Sequence, residues 1–304
     1  MCGAHANTSN SGLFHTGLSS YEFYIYDINP ELILAYSTIK NDVTGLINAL
    51  CNLEQHYLSL PEEERKAMFY EVRTKFNNSI NGINFHIYSD LWIERTAEII
   101  FLNHTCFNGL FRVNLKGEFN VPFGKYKNPT ICDSENLQSV SQLLQKTSIQ
   151  IGDFESCQSV INNNTFVYFD PPYRPISQTA SFNSYSRQAF GDVEQLRLAS
   201  FYRKMDKLGT KLLLSNSDPK NENQADHFFE DAYQGMRIER VKANRMINSD
   251  ANARGSMGQP GFFFQTELIG GQHPPVGRSD QILFFGKGQI RTCFSTPSNP
   301  INGA

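Results

Sequence analysis

The sequence predicts an α/β fold, in which helices cross over between the strands of a sheet. Short runs of aromatic and β-branched residues, typical of buried strands, alternate with longer stretches of helical periodicity. The strand candidates span residues 21–29, 149–154, 165–169 and 210–218. Three of these runs contain an acidic residue at or near their end, which indicates that polar groups collect at the carboxyl edge of the sheet.

The composition is that of a globular protein. The chain has 304 residues, 40% hydrophobic and 19% charged, which suffices for one large domain or two smaller ones. Its formal net charge of −3 argues against a wholly basic nucleic-acid binder but permits a local basic patch. No apolar run approaches the roughly 20 residues of a membrane span, and the N-terminal residues lack the apolar core of a signal peptide. We expect a soluble, cytoplasmic monomer.

The cysteines are scattered along the chain and include no Cys-x-x-Cys pair. This spacing favours reduced thiols over a disulfide framework, and it predicts no metal site. The six residues are Cys2, Cys51, Cys106, Cys132, Cys157 and Cys293.

The first half of the chain is mostly helical after one strand. The run Tyr21–Asn29 predicts a strand, and Pro30 suits the first turn of the helix that follows it. Helical patterns then occupy residues 43–101 and continue to His104. Glycines and prolines interrupt residues 105–130, which predicts a loop or hairpin.

The second half supplies the remaining strands. The predicted elements are a helix over residues 134–148, strands at Ile149–Phe154 and Thr165–Phe169, a helix at Glu194–Gly209 and a strand at Thr210–Asp218. From Gly270 onward the sequence is rich in glycine, proline and serine, which predicts poor order apart from a candidate strand at Gln281–Phe285.

The tetrapeptide Asp170-Pro171-Pro172-Tyr173 follows the strand at Thr165–Phe169. Two prolines fix the backbone and remove two N–H donors, so this turn presents acceptors, the Asp170 carboxylate and the carbonyls, beside a flat ring. Such a set suits a planar ligand with an exocyclic amine, such as adenine. A rigid turn with a capping aspartate is the alternative that these residues alone leave open.

Asp27 and Asp153 lie with Asp170 near the predicted strand ends. Ligands of open α/β sheets bind at the carboxyl ends of strands, so the three acids predict a binding site there. Strand-terminal aspartates also serve as caps of turns and helices, which is the structural alternative for each of them.

Residues 103–130 form a local basic segment in an acidic chain. Four basic residues stand against one acid, a net of +3 (4 − 1), as contact with phosphates requires. A hairpin fits the major groove, where Arg112 can donate two hydrogen bonds to guanine O6 and N7. A solvated basic loop is the simpler alternative.

Four blocks together resemble the Dam-like adenine-N6 DNA methyltransferases of the D12 class, which modify adenine in GATC. The resemblance covers roughly residues 8–269, and its most specific part is FNGLFRVNLKGEFNVPFGKYKNP (Phe107–Pro129), which is similar to the family's DNA-recognition hairpin. The other blocks are YDINPELI (Tyr26–Ile33), YFDPPY (Tyr168–Tyr173) with the loop Ser177–Phe190, and Lys242–Ile269. Aspartate at the start of DPPY favours a DNA adenine enzyme over related glutamine and rRNA methyltransferases.

The resemblance implies a Rossmann-like sheet that binds S-adenosyl-L-methionine, with an inserted helical and hairpin region that binds double-stranded DNA. It implies catalytic roles for Asp170, Pro171, Pro172 and Tyr173. It implies cofactor contacts from Gly12, Asp27, Ile28, Asp153, Phe154 and Asp170. It implies DNA contacts from Phe107, Asn108, Leu110, Arg112, Asn114, Lys116, Pro122, Lys125 and Lys127.

The same resemblance implies a division of the chain. Residues 1–42 and 149–285 would form the catalytic, cofactor-binding domain, residues 43–148 the inserted DNA-recognition region, and residues 286–304 a disordered tail.

The N-terminus departs from the family pattern. The usual lysine- and tryptophan-containing segment is missing, since the single tryptophan is Trp92. In the glycine-rich cofactor loop Thr8 and Asn10 replace the family's phenylalanine and first glycine, and Gly12 fits the last glycine. We therefore expect an N-terminus that is truncated or degenerate. The alternative function is a catalytically inactive DNA-binding relic; an oxidoreductase is disfavoured because no strand is followed by G-x-G-x-x-G.

Overall fold

The computed structural model describes residues 22–114, 116–174, 190–221, 223–242, 260–265 and 281–285. These residues divide into two compact units. The first is Asn29–Gln145, and the second comprises residues 22–28 and the described residues from Lys146 onward.

The first unit is helical. Its helices are α1 (Pro30–Asn41), α2 (Val43–Ser59), α3 (Glu62–Ser79), α4 (Leu91–Thr105) and α5 (Ser134–Leu144). Side chains before three of them satisfy backbone N–H groups at the helix start, as N-caps do. Asn29 accepts from the Glu31 N–H, Asp42 from the Gly45 N–H and Asp133 from the Asn136 N–H.

A buried ion pair joins three of these helices. Arg95 on α4 donates from Nε to both carboxylate oxygens of Glu31 on α1, at 3.0 and 2.8 Å, and from Nη1 to the Phe76 carbonyl of α3 at 2.9 Å. Burial raises the pKa of Glu31, and the Arg95 hydrogen bonds and charge oppose that rise. Arg95 thereby links α4 to both α1 and α3. Removal of either charged side chain would leave the other charge buried without its partner, which is strongly destabilising.

The second unit is built on a seven-stranded sheet with the order β2-β1-β7-β3-β4-β6-β5. Its strands are β1 (Glu22–Asp27), β2 (Thr147–Ile151), β3 (Thr165–Phe169), β4 (Lys211–Ser217), β5 (Arg237–Lys242), β6 (Pro260–Gln265) and β7 (Gln281–Phe285). The first five strands in spatial order are parallel, and β6 runs antiparallel between β4 and β5. The predicted α/β fold is therefore confirmed.

An aromatic core packs below the carboxyl edge of this sheet. Helix α6 (Asp192–Asp206) contributes Phe201 and Tyr202, whose ring centroids lie 6.2 and 5.9 Å from that of Phe169 on β3. The short helix α7 (Phe228–Ala232) adds Phe229 to the same core. These contacts fix the end of β3, from which the DPPY turn departs.

Two predicted boundaries around residue 147 were wrong. The helix predicted over residues 134–148 ends at Leu144, and the strand predicted at 149–154 is β2, Thr147–Ile151. Pairing with β1, beginning with Phe23 opposite Thr147, draws Thr147 and Ser148 into the sheet, so tertiary pairing overrides the local helical pattern. Asp153 thus lies beyond the end of its strand.

The C-terminal part of the sheet also differs from expectation. The sequence predicts no strand at residues 260–265, but Pro260–Gln265 forms β6 and pairs with both β4 and β5. The candidate strand Gln281–Phe285 is confirmed as β7. The predicted tail, residues 286–304, lies outside the described residues.

Candidate functional site

The DPPY turn begins at the carboxyl end of β3, between β7 and β4. Asp170 is fully buried, and Ser215 of β4 donates a hydrogen bond to its Oδ1 at 2.9 Å. Tyr173 is 40% exposed, so its ring reaches the surface of the unit. Among the described residues none donates to the Pro171 carbonyl. The turn therefore joins a buried carboxylate, a carbonyl acceptor and an accessible aromatic ring.

Side chains of β4 and α6 hold the rest of the turn. Gln195, which is fully buried, donates to the Pro172 carbonyl at 2.9 Å and accepts from the Asn216 side chain at 3.1 Å. Asn216 in turn accepts from the Arg174 N–H at 3.0 Å. The Pro172 carbonyl thus already accepts a hydrogen bond, and the backbone is held on both sides of Tyr173.

Arg174 anchors the outer end of the turn. Its guanidinium bonds Asp192 at 2.7 Å and Asp226 at 2.7 Å, and it lies 4.3 Å from the centroid of the Phe228 ring. Hydrogen bonding to Asp192 raises the pKa of Arg174, and Asp226 adds to that effect against the opposing effect of burial. The charged anchor thus holds the turn without using Asp170.

Four residues that hold the turn are not indicated by any predicted motif: Ser215, Gln195, Asn216 and Arg174. A signal for two of them was present, since the strand Thr210–Asp218 ends in Ser-Asn-Ser-Asp at the edge where ligands bind. For Gln195 and Arg174 we find no pattern in the sequence that indicates these contacts.

Asp27 reaches the same edge of the sheet as Asp170. Phe285 of β7 pairs with Tyr26 on one side and with Phe169 on the other, so the two acids follow residues that flank the end of β7. Asp27 is 2% exposed, whereas the next residue, Ile28, is 49% exposed. The edge therefore offers a buried carboxylate next to an accessible apolar side chain.

Asp153 lies in a turn two residues after β2. Its carboxylate accepts from the Ser156 hydroxyl at 3.1 Å and from Arg197 at 2.9 Å. Burial raises the pKa of Asp153, but the hydrogen bonds and charge of Arg197 and the bond from Ser156 outweigh it, so the pKa lies below its ordinary value. Phe154 is buried, with the Arg197 guanidinium 4.1 Å from its ring centroid.

Two predicted parts of the site cannot be placed. Gly12 and the N-terminal cofactor loop lie outside the described residues, as do residues 175–189 of the loop that follows the DPPY turn.

In the helical unit, the predicted hairpin is present between α4 and α5. Antiparallel bridges join Cys106 to Phe123 and Val113 to Phe119. Near its base, Phe107 is 45% exposed, and Asn108 adopts a left-handed backbone with φ of 56°, which asparagine tolerates better than most residues. Phe107 thus presents an exposed aromatic ring near the base of the hairpin.

Arg112 and Asn114 occupy the hairpin arm that leads to the tip. Arg112 donates from Nε to the Asn120 side chain at 2.8 Å. Asn114 uses its side chain within the tip, accepting from the N–H groups of Lys116 and Glu118 at 2.9 and 3.0 Å. Arg112 is therefore braced from inside the hairpin, and Asn114 closes the turn.

The remaining predicted DNA contacts are at the surface of this hairpin. Leu110 is half-buried, and the exposed residues are Lys116, Pro122, Lys125 and Lys127. The three lysines make the exposed surface basic, as the sequence predicts.

Helix α3 supports the hairpin from behind. The Asn77 side chain accepts from the Phe119 N–H at 2.8 Å and donates to its carbonyl at 3.1 Å. Arg73 donates to the Val121 carbonyl at 3.3 Å and Arg65 to the Lys127 carbonyl at 2.6 Å. The position of one arm is thus tied to a helix by side-chain contacts spaced along α3.

None of the helices in the described ranges combines the length and apolar composition that a bilayer crossing requires. Within those ranges, no three His, Cys, Asp or Glu side chains are grouped in a way that would hold a metal ion.

Comparison with known proteins identifies the family of the chain. The family model of the D12 class N6 adenine-specific DNA methyltransferases matches residues 10–247. The chain is 48% identical over 240 residues to the type II methyltransferase M.MjaIII of Methanocaldococcus jannaschii, with 78% of each chain covered. It is 34% identical over 247 residues to the type II methyltransferase M1.LlaDCHI of Lactococcus lactis, with 79% of this chain and 78% of that protein covered. It is 31% identical over 238 residues to a DNA adenine methylase of Vibrio cholerae, with 78% of each covered. The chain therefore belongs to the D12 class of N6 adenine-specific DNA methyltransferases.

Proposed function

We propose that this methyltransferase transfers a methyl group from S-adenosyl-L-methionine to N6 of an adenine flipped out of double-stranded DNA, with GATC as its target and a monomer as the active form. The observation that carries the proposal is the DPPY turn. It combines a buried, hydrogen-bonded carboxylate with a carbonyl acceptor and an exposed ring at the carboxyl edge of the sheet.

Asp170 and the Pro171 carbonyl would accept hydrogen bonds from the two N–H groups of the adenine amine. An amine conjugated to a purine is a poor nucleophile, because its lone pair is delocalised into the ring. Two acceptors held in place would turn that lone pair out of the ring plane and stabilise the positive charge that develops on nitrogen. Tyr173 would stack on the base, which must leave the duplex to reach this pocket.

The residues at the edge of the sheet fit the cofactor. The buried Asp27 carboxylate can accept from two ribose hydroxyls, and the exposed Ile28 beside it offers an apolar contact. Gly12, Asp153 and Phe154 complete the proposed cofactor set with Asp170. When bound, S-adenosyl-L-methionine supplies an electrophilic methyl group on a sulfonium.

The hairpin of the helical unit would bind the DNA. We assign residues 43–148 to target recognition, and residues 1–42 and 149–285 to catalysis and cofactor binding. Phe107 would enter the duplex, whereas Asn108, Leu110, Arg112 and Pro122 would contact base edges. Lys116, Lys125 and Lys127 would contact phosphates, since they are exposed cations, and Asn114 would hold the tip that carries Lys116.

The target is tested by transfer of a tritium-labelled methyl group to matched duplexes. One duplex carries a single GATC, and four others each replace one of its bases. We expect incorporation on GATC. Each replaced base that the enzyme contacts should weaken recognition of the duplex by about 1–3 kcal/mol. Equal incorporation on all duplexes would contradict GATC, and binding of DNA without any incorporation would favour the inactive DNA-binding protein instead.

A further inference from the structure

We propose that Ser215 is a positioning residue that holds the Asp170 carboxylate as an acceptor and links it to the stacking ring of Tyr173. The proposal rests on the proposed function, because it assigns Asp170 and Tyr173 the roles given above. Its basis is the position of one hydroxyl group among three polar groups of the turn and of β3.

The pairing of β3 with β4 brings Ser215 to Asp170. Phe169 lies opposite Leu214, so the next residues in sequence, Asp170 after Phe169 and Ser215 after Leu214, face each other across the sheet. Ser215 is 3% exposed and Asp170 is fully buried. A hydrogen bond between them is therefore protected from water, and a short side chain on a strand holds it with little freedom.

The hydrogen bonds of Ser215 have a direction that follows from counting protons. A serine hydroxyl has one proton to donate and can accept two hydrogen bonds. Its proton points to Asp170 Oδ1 at 2.9 Å, so the Tyr168 hydroxyl, 3.0 Å away, must donate to Ser215. The Tyr173 hydroxyl donates to the same oxygen across 3.4 Å. The hydroxyl is thus saturated, with one bond given and two received.

This arrangement has a consequence for catalysis. Carboxylate and ring share one anchoring atom, so a shift of either group is transmitted to the other through Ser215. Loss of the hydroxyl would remove one hydrogen bond that orients the carboxylate, and it would take away the acceptor that two tyrosine hydroxyls share. Misplacement by about 1 Å costs on the order of 100-fold in rate. Binding of DNA, which uses the hairpin, should not depend on this atom.

The test compares Ser215→Ala, Ser215→Cys and Ser215→Thr in the full chain. Threonine keeps the hydroxyl, and a thiol of similar shape is a weaker donor. Ser148→Ala is the matched control, because Ser148 is also a strand serine of this sheet and its one described side-chain contact is with Gln150 at 3.0 Å. For each variant we measure kcat, KM for DNA and for the cofactor, and the thermal midpoint. The fluorescence of a 2-aminopurine duplex reports base flipping.

We expect Ser215→Ala to lower kcat by about 10- to 100-fold, with KM values and base flipping close to wild type. Ser215→Cys should fall between wild type and Ser215→Ala, and Ser215→Thr should restore most of the rate. If Ser215→Ala does not fold, the Cys and Thr variants carry the comparison.

An unchanged kcat in folded Ser215→Ala or Ser215→Cys, or a loss equal to that of Ser148→Ala, would overturn the role of Ser215. A rise in KM for DNA with constant kcat would overturn it as well. A wild-type protein that methylates no duplex would overturn the proposed function, and with it this role.

Discussion

At the scale of single residues, the orientation of Arg112 depends on its neighbour across the hairpin. Asn120 accepts from Arg112 Nε at 2.8 Å, and the Asn120 N–H donates to the Arg112 carbonyl at 3.1 Å. A guanidinium held at Nε keeps its two Nη groups for a planar acceptor pair, which is the geometry that guanine presents.

We therefore predict that Arg112→Ala relaxes the choice of one guanine and loses about 1–3 kcal/mol of discrimination there. Transfer rates on GATC and on a duplex with that guanine replaced measure the effect. Lys116→Ala at the exposed tip is the control, since loss of a phosphate contact should weaken binding to all sequences and lower the salt slope by about 1. Equal losses on both duplexes for Arg112→Ala would make it a phosphate contact.

A second residue-scale prediction concerns the pH dependence of stability. Because the pKa of Asp153 is lowered in the folded protein, its contacts with Arg197 and Ser156 stabilise the fold above the unfolded pKa of about 3.9. That contribution disappears as the pH falls through the lower, folded pKa.

Urea unfolding of wild type and Asp153→Asn should therefore differ by a constant amount above about pH 5, and this difference should shrink progressively as the pH falls below about 4. Asp231→Asn, at an exposed position of α7, serves as the control and should follow wild type at each pH. A gap between wild type and Asp153→Asn that widens toward low pH would contradict this assignment.

Sequence reasoning identified the acceptors of the turn but not their donors. Asp170 and Tyr173 belong to one recognisable tetrapeptide. Ser215 and Gln195, in contrast, lie on β4 and α6, and they contact the turn only through strand pairing and helix packing. Residues that act through tertiary contacts leave little trace in local patterns, so their roles required the fold.

At the scale of elements, the hairpin depends on a helix that makes no predicted contact with DNA. Asn77 on α3 pairs with both backbone groups of Phe119, as a neighbouring strand would. The arm that carries Asn120, and through it the orientation of Arg112, therefore takes its position from α3.

We predict that Asn77→Ala lowers discrimination among duplexes about 5- to 150-fold, because two hydrogen bonds worth roughly 0.5–1.5 kcal/mol each are lost. Cofactor affinity, measured by calorimetry, should stay at the wild-type value. Asn78→Ala, an exposed neighbour on the same helix, is the matched control. Discrimination that is as strong in Asn77→Ala as in Asn78→Ala would show that α3 does not position the hairpin.

Secondary structure was predicted correctly where it depends on local pattern and wrongly where it depends on pairing with distant strands. Long periodic helices and the strand at Thr165–Phe169 were correct because local pattern and tertiary contacts agree there. The start of β2 and the whole of β5 and β6 were missed. Their pairing partners lie elsewhere in the chain: β1 for β2, β4 and β5 for β6, and β6 for β5. Pairing across the sheet decided those residues.

At the scale of the molecule, a strand from late in the chain lies in the interior of the sheet. β7 lies between β1 and β3 and is parallel to both, although more than a hundred residues separate Gln281 from Phe169 in sequence. Sequence analysis predicted the strand but not its place, because nothing in five residues specifies a partner. Two of the three proposed cofactor acids, Asp27 and Asp170, follow the residues on either side of its end.

We predict that the backbone amides of Gln281–Phe285 exchange with deuterium as slowly as those of β3, since a strand paired on both sides opens only with the sheet. Hydrogen exchange followed by mass spectrometry of peptides from both strands measures this, and the edge strand β5 gives the comparison for an element paired on one side. Exchange of β7 within seconds, faster than β5, would place it outside the sheet.

The measurement that tests the central claim most directly is the identity and rate of base modification by wild type and Asp170→Asn. Duplexes are incubated with both proteins, digested to nucleosides and analysed by mass spectrometry, with DNA binding measured in parallel by gel shift. We predict N6-methyladenine with wild type, and with Asp170→Asn a rate about 100- to 1,000-fold lower at nearly unchanged DNA affinity, because one acceptor for the amine is weakened. Substantial activity of folded Asp170→Asn would contradict the assignment of the DPPY turn as the catalytic site.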